Sequence, residues 1–575
     1  MDRVLSGIPF SDFERSFSRT SFKKRFLFFN LARLPSVICL VLCFALMTPV
    51  FGDNAHDLNS AQLDFGSMGV SDLSLVIGPP RPIAKLVPFS LVTMCQTQEN
   101  STLSAVPQLK TGEFQDVRAA GAAGDGQHDD SEAIQRCIAR GGAIVFPAGI
   151  YRITQPLEVN LSQTGWVSFH GFGTARLLMA GPGPAIRFTG SHTGTADPKS
   201  VHPGVWQGER FPLVEGLEIV GEHPEACGIE AIQTMQLTIV KTLIRQTYHA
   251  VRLHQRNRNV LLSHCHIYEN RGAGVFLDDV DLHQINVIGS HISYNSAGGI
   301  VVKKGYLRNL QVTGCDIEAN MSAETEPTAN ILIDSRESQY GHAEIAITGC
   351  TIQHLSKVPG SCNIRFLGQD LKGRLWGNLT IAENVLSDVE RNVEIVGARG
   401  VSITGNTFWG AVAEDLLVTG SQNIVIGPNS FDQNPNYAGQ GPYQGGVTLQ
   451  DCKDCVVTGL QLAEIRASQA AILIQNCHGL NVTNCQITNC FPVGILLDQV
   501  TDSRVSDCII RTVTSLPVEP TPNANTSDIP QKAAAALRGI GLENVMIRGN
   551  LIRGRIELPD AGVYREGNLE LPAIP

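Results

Sequence analysis

The chain has 575 residues, of which 43% are hydrophobic, 17% charged and 6% aromatic, with 56 glycines and a formal net charge of -10. Such a length exceeds one ordinary globular domain, so several domains or one elongated repeat architecture is expected. The acidic balance argues against a nucleic-acid-binding surface, which needs a net basic face, and the composition excludes a disordered or collagen-like chain.

Residues 1–52 read as a signal peptide or an N-terminal anchor. Arg15, Arg19, Lys23, Lys24, Arg25 and Arg33 precede "LPSVICLVLCFALMTPVFG", a basic region followed by an apolar run that is short for a bilayer span. Val50 and Gly52 are small residues before a cleavage point near Asp53, and an uncleaved anchor is the alternative. The expectation is an exported protein, secreted, periplasmic or at the cell surface, with no other membrane segment. Residues 53–112 read as a linker.

Residues 113–212 form the next unit. In "GDGQHDD" the aspartates Asp125, Asp129 and Asp130 suggest a metal loop, but the twelfth-position Glu of a calcium hand is missing, and Asp129 with Glu132 fits a helix capping box. Ile134, Cys137 and Ile138 follow at helical spacing, Gly141 and Gly142 end the run, and "AIVFPAGIYRI" reads as strand, turn, strand. The segment resembles the N-terminal signature of the pectate lyase superfamily, which includes rhamnogalacturonase-like and epimerase-like proteins and phage tailspikes. The resemblance rests on an Asp-x-x-x-x-Gly-Ala start, "GDG", "DDSEAIQ" and "GGAIVFPAGIY". It implies a cap and first turn of a right-handed parallel β-helix.

Residues 213–557 repeat. "NVLLSHCHIYENRGAGVFLDD", "INVIGSHISYNSAGGIVVKK" and "LQVTGCDIEANMSAETEPTANILIDS" share a form, with anchors Ile267, Ile292 and Ile317 spaced 25 apart. The series continues through Ile352, Val385, Phe408, Phe431, Leu462, Ile487 and Ile510 at uneven steps, as in a solenoid whose loops vary while its strands do not. The units alternate with strand period, and 23 to 25 residues are too few for a propeller blade. The fold class expected is therefore all-β, a right-handed parallel β-helix with a short N-terminal capping helix, followed by a C-terminal tail at 558–575.

Asn270, Asn295 and Asn320 recur three residues after the anchors, as an Asn ladder between turns. Cys265, Cys315, Cys350, Cys485 and Cys508 recur two residues before an apolar position and are expected to stack inside as small hydrophobes. Cys452 and Cys455 form a single Cys-x-x-Cys, a weak zinc or redox signal that the repeat itself explains.

Strand register converts the repeat into columns. One outward column reads Ile232, His254, Asp278, Lys303, Asp334, Leu367, Val396, Thr419, Gln450, Gln475 and Asp498. Its ionisable run makes His254, Asp278, Lys303 and Asp334 the candidate catalytic residues. Glu230, Arg252, Asp279 and Lys304 are candidate substrate-binding neighbours, with Asp281 in the same turns. Two rungs at ~4.8 Å place Asp278 and Asp334 roughly 9 to 10 Å apart at Cβ, near the spacing of an inverting glycosidase pair. An elimination would use Asp278 and Asp279 on a Ca²⁺ that binds a substrate carboxylate, with Lys303 as base. The bland reading of the same column is a solvated ion-pair ladder. His264, His266, His291 and Asp316 form a second outward cluster able to bind a metal or transfer protons.

The Asn-Thr-Asp, Gly-Asp-Asp, Gly-His-Gly and Arg-Ile-Lys signatures of polygalacturonase-like hydrolases are absent, as are the Arg-centred motifs of the best-known pectate lyases. The expected function is cleavage of a polysaccharide, uronate-containing or not, by hydrolysis or β-elimination. The alternative is a non-catalytic carbohydrate-binding or cell-surface protein. In that case outward Phe276, Val301, Leu332, Leu417, Leu473 and Leu496 would form an assembly face, for example of a trimer.

Overall fold

A computed structural model describes residues 114–370, 373–434, 436, 443–513 and 534–572. The expected export segment at 1–52, the linker at 53–112 and most of the 515–535 loop lie outside the described residues. Among the described residues no helix is long and apolar enough to cross a membrane.

The strands pair in parallel from Gln115 to Leu571. Each coil contributes one short strand to each of three sheets. Sheet A stacks residues 260–263, 285–288, 310–313 and 345–348. Sheet B stacks His266–Tyr268, His291–Ser293, Asp316–Glu318 and Thr351–Gln353. Sheet C stacks residues 251–254, 275–278, Ile300–Lys303 and 331–334. The inward residues fill one continuous core, in which Ile267, Ile292, Ile317 and Ile352 are fully buried.

The corner between sheets A and B turns on one residue in the left-handed region: His264, Gly289, Gly314, Gly349, Glu383 and Gly405 in successive coils. Glycine suits that conformation, and other L-residues hold it only because the stacked neighbours fix it.

Four expectations are corrected. The stacked partner of Ile352 is Leu386, not Val385, which pairs with Thr351 and lies exposed. The capping box does not form: the helix α1 (Ser131–Ile138) takes Asp130 as its N-cap residue and Glu132 stays in solvent. The chain does not end in a tail at 558, because Val563–Glu566 and Leu569–Leu571 add a last coil. Nor do Val301, Leu332, Leu473 and Leu496 stand open for an assembly face. Val301 and Leu332 pack with Ala273, Ala329 and Cys362, and Leu473 and Leu496 pack with Ala470, Val493 and Ala535.

The acids of "GDGQHDD" bind the chain itself. Buried Asp130 accepts the amides of Ala123 and Gly124 at 2.6 and 3.0 Å. Asp129 accepts Ser131 N at 3.0 Å together with the Ser131 and Thr154 hydroxyls, and Asp125 accepts the amides of Gln127 and His128. The described cysteines are free thiols, all but Cys227 buried, and stacked ones touch: Cys315 N donates to Cys350 Sγ at 3.4 Å and Cys452 N to Cys477 Sγ at 3.3 Å. Cys452 and Cys455 both lie in the core.

At the corner between sheets B and C runs the Asn ladder. Asn270 Nδ2 donates to Asn295 Oδ1 at 2.7 Å, and Asn295 donates likewise to Asn320. Each spare Nδ2 hydrogen reaches a core-strand carbonyl, Ile244, Ile267 or Ile292. A Cβ on Gly299 would stand 2.9 Å from Asn320 Nδ2, so that glycine makes room for the amide. Across the loop that follows Asn320 the column passes to Asn330, Asn363 and Asn392, and then stops on Asp415.

The change of residue at the end has a reason. Each Asn donates onward to the next side-chain oxygen, but beyond Asp415 stands the Gly446 N–H, a donor, at 3.0 Å from Oδ2. An acceptor is needed on both sides, which a carboxylate supplies and an amide does not. Burial pushes the Asp415 carboxyl up to about 6 from 3.8, against the hydrogen bonds from Gly446 and Asn392 that favour its charged form.

Asn295→Ala should cost at least about 2 kcal/mol, because it strands in the interior the Asn270 backbone and side-chain amide donors that meet Asn295 Oδ1. Chemical denaturation checks it, and a loss within error would show the ladder to be incidental. For Asp415 the folded state holds the proton more tightly than the unfolded state, so its contribution is greatest at low pH and is lost as pH rises through about 6. The stability of the wild type relative to Asp415→Asn should therefore fall by up to about 3 kcal/mol between pH 4 and pH 7. A pH-independent difference would rule the group out.

Candidate functional site

The first column forms in the expected register: Ile232, His254, Asp278, Lys303, Asp334 and Leu367 are neighbours rung by rung. What surrounds them was not legible. Arg252 Nε and Nη2 both donate to Asp278 Oδ2, at 3.0 and 2.5 Å. Glu230 receives Arg187 Nε at 2.5 Å and Arg252 Nη1 at 3.2 Å, with His254 Nε2 also 3.2 Å away. Arg336 grips Asp334 through Nε and Nη2 at 2.9 and 2.7 Å. Lys304 pairs with Glu337, and Asp281 with Arg256.

The electrostatics follow. Burial alone would raise the Glu230 carboxyl, but His254 and Arg187 outweigh it and hold the group down at about 2. At Asp334, too, burial is outweighed, chiefly by Arg336, and the carboxyl is lowered. Neither is set up to carry a proton at neutral pH. The pair expected to hold Ca²⁺ fits poorly, since Arg252 occupies Oδ2 of Asp278 and Asp279 is the unpaired residue of a bulge, with φ 47°. Lys303 differs: among the described residues it has no carboxylate within 4 Å, while Asp278 and Asp334 flank it in register.

The second cluster lies on the outer face of sheet B. His266, His291 and Asp316 are consecutive rungs, and Tyr268, Ser293, Glu318 and Gln353 form the parallel column two residues on. His291 Nε2 is 3.9 Å from Asp316 Oδ2, and the His266 and His291 rings are 5.9 Å apart. One donor atom each from His291, Asp316 and Glu318 lies within 4.8 Å of the others. His264 does not join them, because it is the left-handed corner residue, hydrogen-bonded to Ser263 Oγ.

Three residues not singled out in the sequence complete the group. Glu318 accepts Gln353 Nε2 at 3.2 Å and the Tyr294 hydroxyl at 3.4 Å. His354 stands between Glu318 and Asp388, with Nε2 3.6 Å from the first and Nδ1 3.8 Å from the second. Asp388 accepts Ser387 Oγ at 2.9 Å and the Tyr443 hydroxyl at 3.5 Å. Tyr294, His354 and Asp388 all sit at the B-to-C corner with φ of 54°, 79° and 57°, which throws their side chains beside sheet B. His354, Leu355, Ser356, Lys357 and Asp388 line an open cleft of about 300 Å³.

No Lys or Arg lies within 4 Å of Asp316, Glu318 or Asp388 among the described residues. Burial and the Glu318 charge raise the Asp316 carboxyl, and Glu318 likewise raises the Tyr294 hydroxyl. The cluster therefore combines carboxylates, imidazoles and phenols able to move protons at an accessible surface. A larger apolar groove of about 570 Å³ on sheet A, between Trp166 and Phe211, has Arg210 as its one ionisable lining residue, so it has binding surface without acid-base groups.

Three stacked parallel sheets around one core define a parallel β-helix. A family model for the right-handed β-helix region matches residues 212–341, 327–499 and 393–554, and one for rhamnogalacturonase A/epimerase, pectate lyase-like proteins matches 114–175. The chain belongs to the pectate-lyase-like right-handed β-helix family. A search of curated protein sequences finds no match. Among solved structures it is similar to a tailspike of bacteriophage CBA120, at 11% identity over 79% of this chain and 61% of the other, TM-score 0.38. It is similar to a tailspike of E. coli bacteriophage HK620 in complex with pentasaccharide, at 10% identity over 73% and 77%, TM-score 0.46. It is also similar to PfbA, a surface adhesin of Streptococcus pneumoniae, at 15% over 69% and 91%, TM-score 0.34. The chain spans about three fifths of the CBA120 tailspike's length, and these are likenesses of fold.

The arginine-matched column should behave as a structural ladder. Asp278→Asn is expected to shift stability by about 0 to 1 kcal/mol. Glu230→Gln, which removes the charge shared by Arg187 and Arg252 at a nearly buried position, should cost about 1 to 3 kcal/mol. Equal effects in thermal denaturation would contradict the difference in burial.

Proposed function

We propose that the protein is an exported, polysaccharide-active β-helix that cleaves glycosidic bonds in the sheet B groove. The observation that carries this reading is the convergence of Asp316, Glu318 and Asp388 with His291 and His354 beside an open cleft, with no Lys or Arg among the described residues within 4 Å of the three carboxylates. Unneutralised carboxylates side by side are the groups that divide the roles of proton donor and charged partner in sugar chemistry. Exposed Tyr294 and half-buried Tyr268 flank them as ring surfaces for a sugar face. Hydrolysis and β-elimination use the same groups, and a uronate-containing polymer is the substrate class for elimination.

A second reading places cleavage in the first column. Lys303, free of a close carboxylate and flanked by Asp278 and Asp334, would act as the base, with His254, Arg252, Glu230, Asp279 and Lys304 around it. A third is binding without cleavage in either groove, alone or as a trimer.

A screen of the purified chain against polysaccharides, reading reducing ends and the ultraviolet absorbance of unsaturated products, separates the three. Glu318→Gln and Asp388→Asn should each lower turnover at least about a hundredfold at nearly unchanged melting temperature, the scale of a positioned acid or base. Lys303→Ala should leave turnover intact. The reverse pattern would move the site to the first column, and retention of polymer with no product would make the protein a binding module.

A further inference from the structure

The carboxylates of the two candidate sites differ in their partners. On sheet C, Glu230, Asp278, Glu394 and Asp334 are each held by an arginine. On sheet B, Asp316 accepts no hydrogen bond from any described residue, and its nearest basic atom is His291 Nε2 at 3.9 Å. Glu318 lies two residues along the same strand and points to the same side, so two carboxylates and one imidazole share a space with no resident cation of the chain.

We propose that His291 Nε2, Asp316 and Glu318 bind a divalent transition-metal cation, and that the bound cation switches the groove off. A mixed set of one imidazole nitrogen and two carboxylate oxygens suits Zn²⁺ or Mn²⁺ better than the all-oxygen set that Ca²⁺ prefers. Ligands at about 2.0 to 2.2 Å from a zinc ion stand roughly 3.3 Å from one another. The three donors already lie within 4.8 Å, and His291 and Asp316 at 3.9 Å, so side-chain rotations of about an ångström close the set. Binding requires His291 Nε2 to leave its 2.9 Å contact with Ser293 Oγ. The backbone need not move, because adjacent rungs of parallel strands fix the spacing.

Both Glu318 oxygens accept neutral donors, the Tyr294 hydroxyl on one and Gln353 Nε2 on the other, so a bound cation displaces one of them. His266 stands one rung beyond His291. The inhibitory half of the inference rests on the proposed function, since a cation on Asp316 and Glu318 withdraws both from proton transfer. The binding half does not.

Calorimetric titration of the chelator-treated full chain with ZnCl₂, without any polysaccharide, tests the site. One equivalent should bind, at least tenfold more weakly in His291→Ala and in Glu318→Gln, while His264→Ala, altered at the neighbouring corner, binds as the wild type does. Melting temperatures of the metal-free variants establish that each is folded. Absence of one-to-one binding, or binding unaffected by both substitutions, would overturn the site. With an active polysaccharide in hand, zinc should inhibit the wild type at the occupancy measured by calorimetry, and cleavage undiminished at saturating zinc would overturn the switch. If no polysaccharide is cleaved, the proposed function fails and the calorimetry still decides the metal site.

Discussion

Everything in this protein depends on the fixed stacking of one coil on the next, and the buried amide ladder is what pins it. A parallel pair of short strands by itself tolerates slippage, and a one-residue slip would turn every outward side chain inward. Asn270, Asn295, Asn320, Asn330, Asn363 and Asn392 forbid that, because each must meet its neighbour's oxygen in the dry interior or leave a donor unsatisfied. Asp415 shows how strict the requirement is: where the next partner is a backbone N–H, the residue becomes an acid even though burial works against its charge.

Once the coils are registered, columns of side chains follow, and the chemistry of a face is set by what stands in adjacent rungs. Sheet C alternates acids with arginines from neighbouring rungs or turns, so these charges cancel locally and Glu230 and Asp334 are held low. On sheet B, Glu218 is likewise held by Arg176 and Arg245, but among the described residues no arginine or lysine lies within 4 Å of Asp316 or Glu318, which face His291 and His354. An exposed matched pair is worth little to stability, so cancellation on sheet C keeps a crowded face neutral. The uncancelled face is the one on which a charged or proton-exchanging partner gains most.

The acids near the N-terminus make the complementary point. Asp125, Asp129 and Asp130 look like a metal loop when read as letters, yet each spends its oxygens on amides and hydroxyls of its own chain. The sheet B acids differ in their partners: Asp316 accepts no hydrogen bond from any described residue, and Glu318 and Asp388 accept from side chains and not from backbone amides.

The spacing of Ile267, Ile292 and Ile317 already determined a parallel solenoid, and the Asn and Cys recurrences determined what would stack inside it. Strand alternation also set the register of His254, Asp278, Lys303 and Asp334 correctly, because period two admits one solution once a face is buried. The capping helix was legible as an amphipathic run, although its cap was not, since the bonds of Asp129 reach across to Thr154 just past the end of a later strand. The sheet B site was half legible. His266, His291 and Asp316 share a strand position that the repeat exposes, but taking Val385 for Leu386 as an anchor shifted one coil by a residue and hid Asp388 from its neighbour His354. Which carboxylates remain free was decided by tertiary structure alone. That outcome depends on where Arg187, Arg252 and Arg336 place long, flexible side chains, and a rung pattern fixes the position of a backbone without fixing where an arginine head group comes to rest.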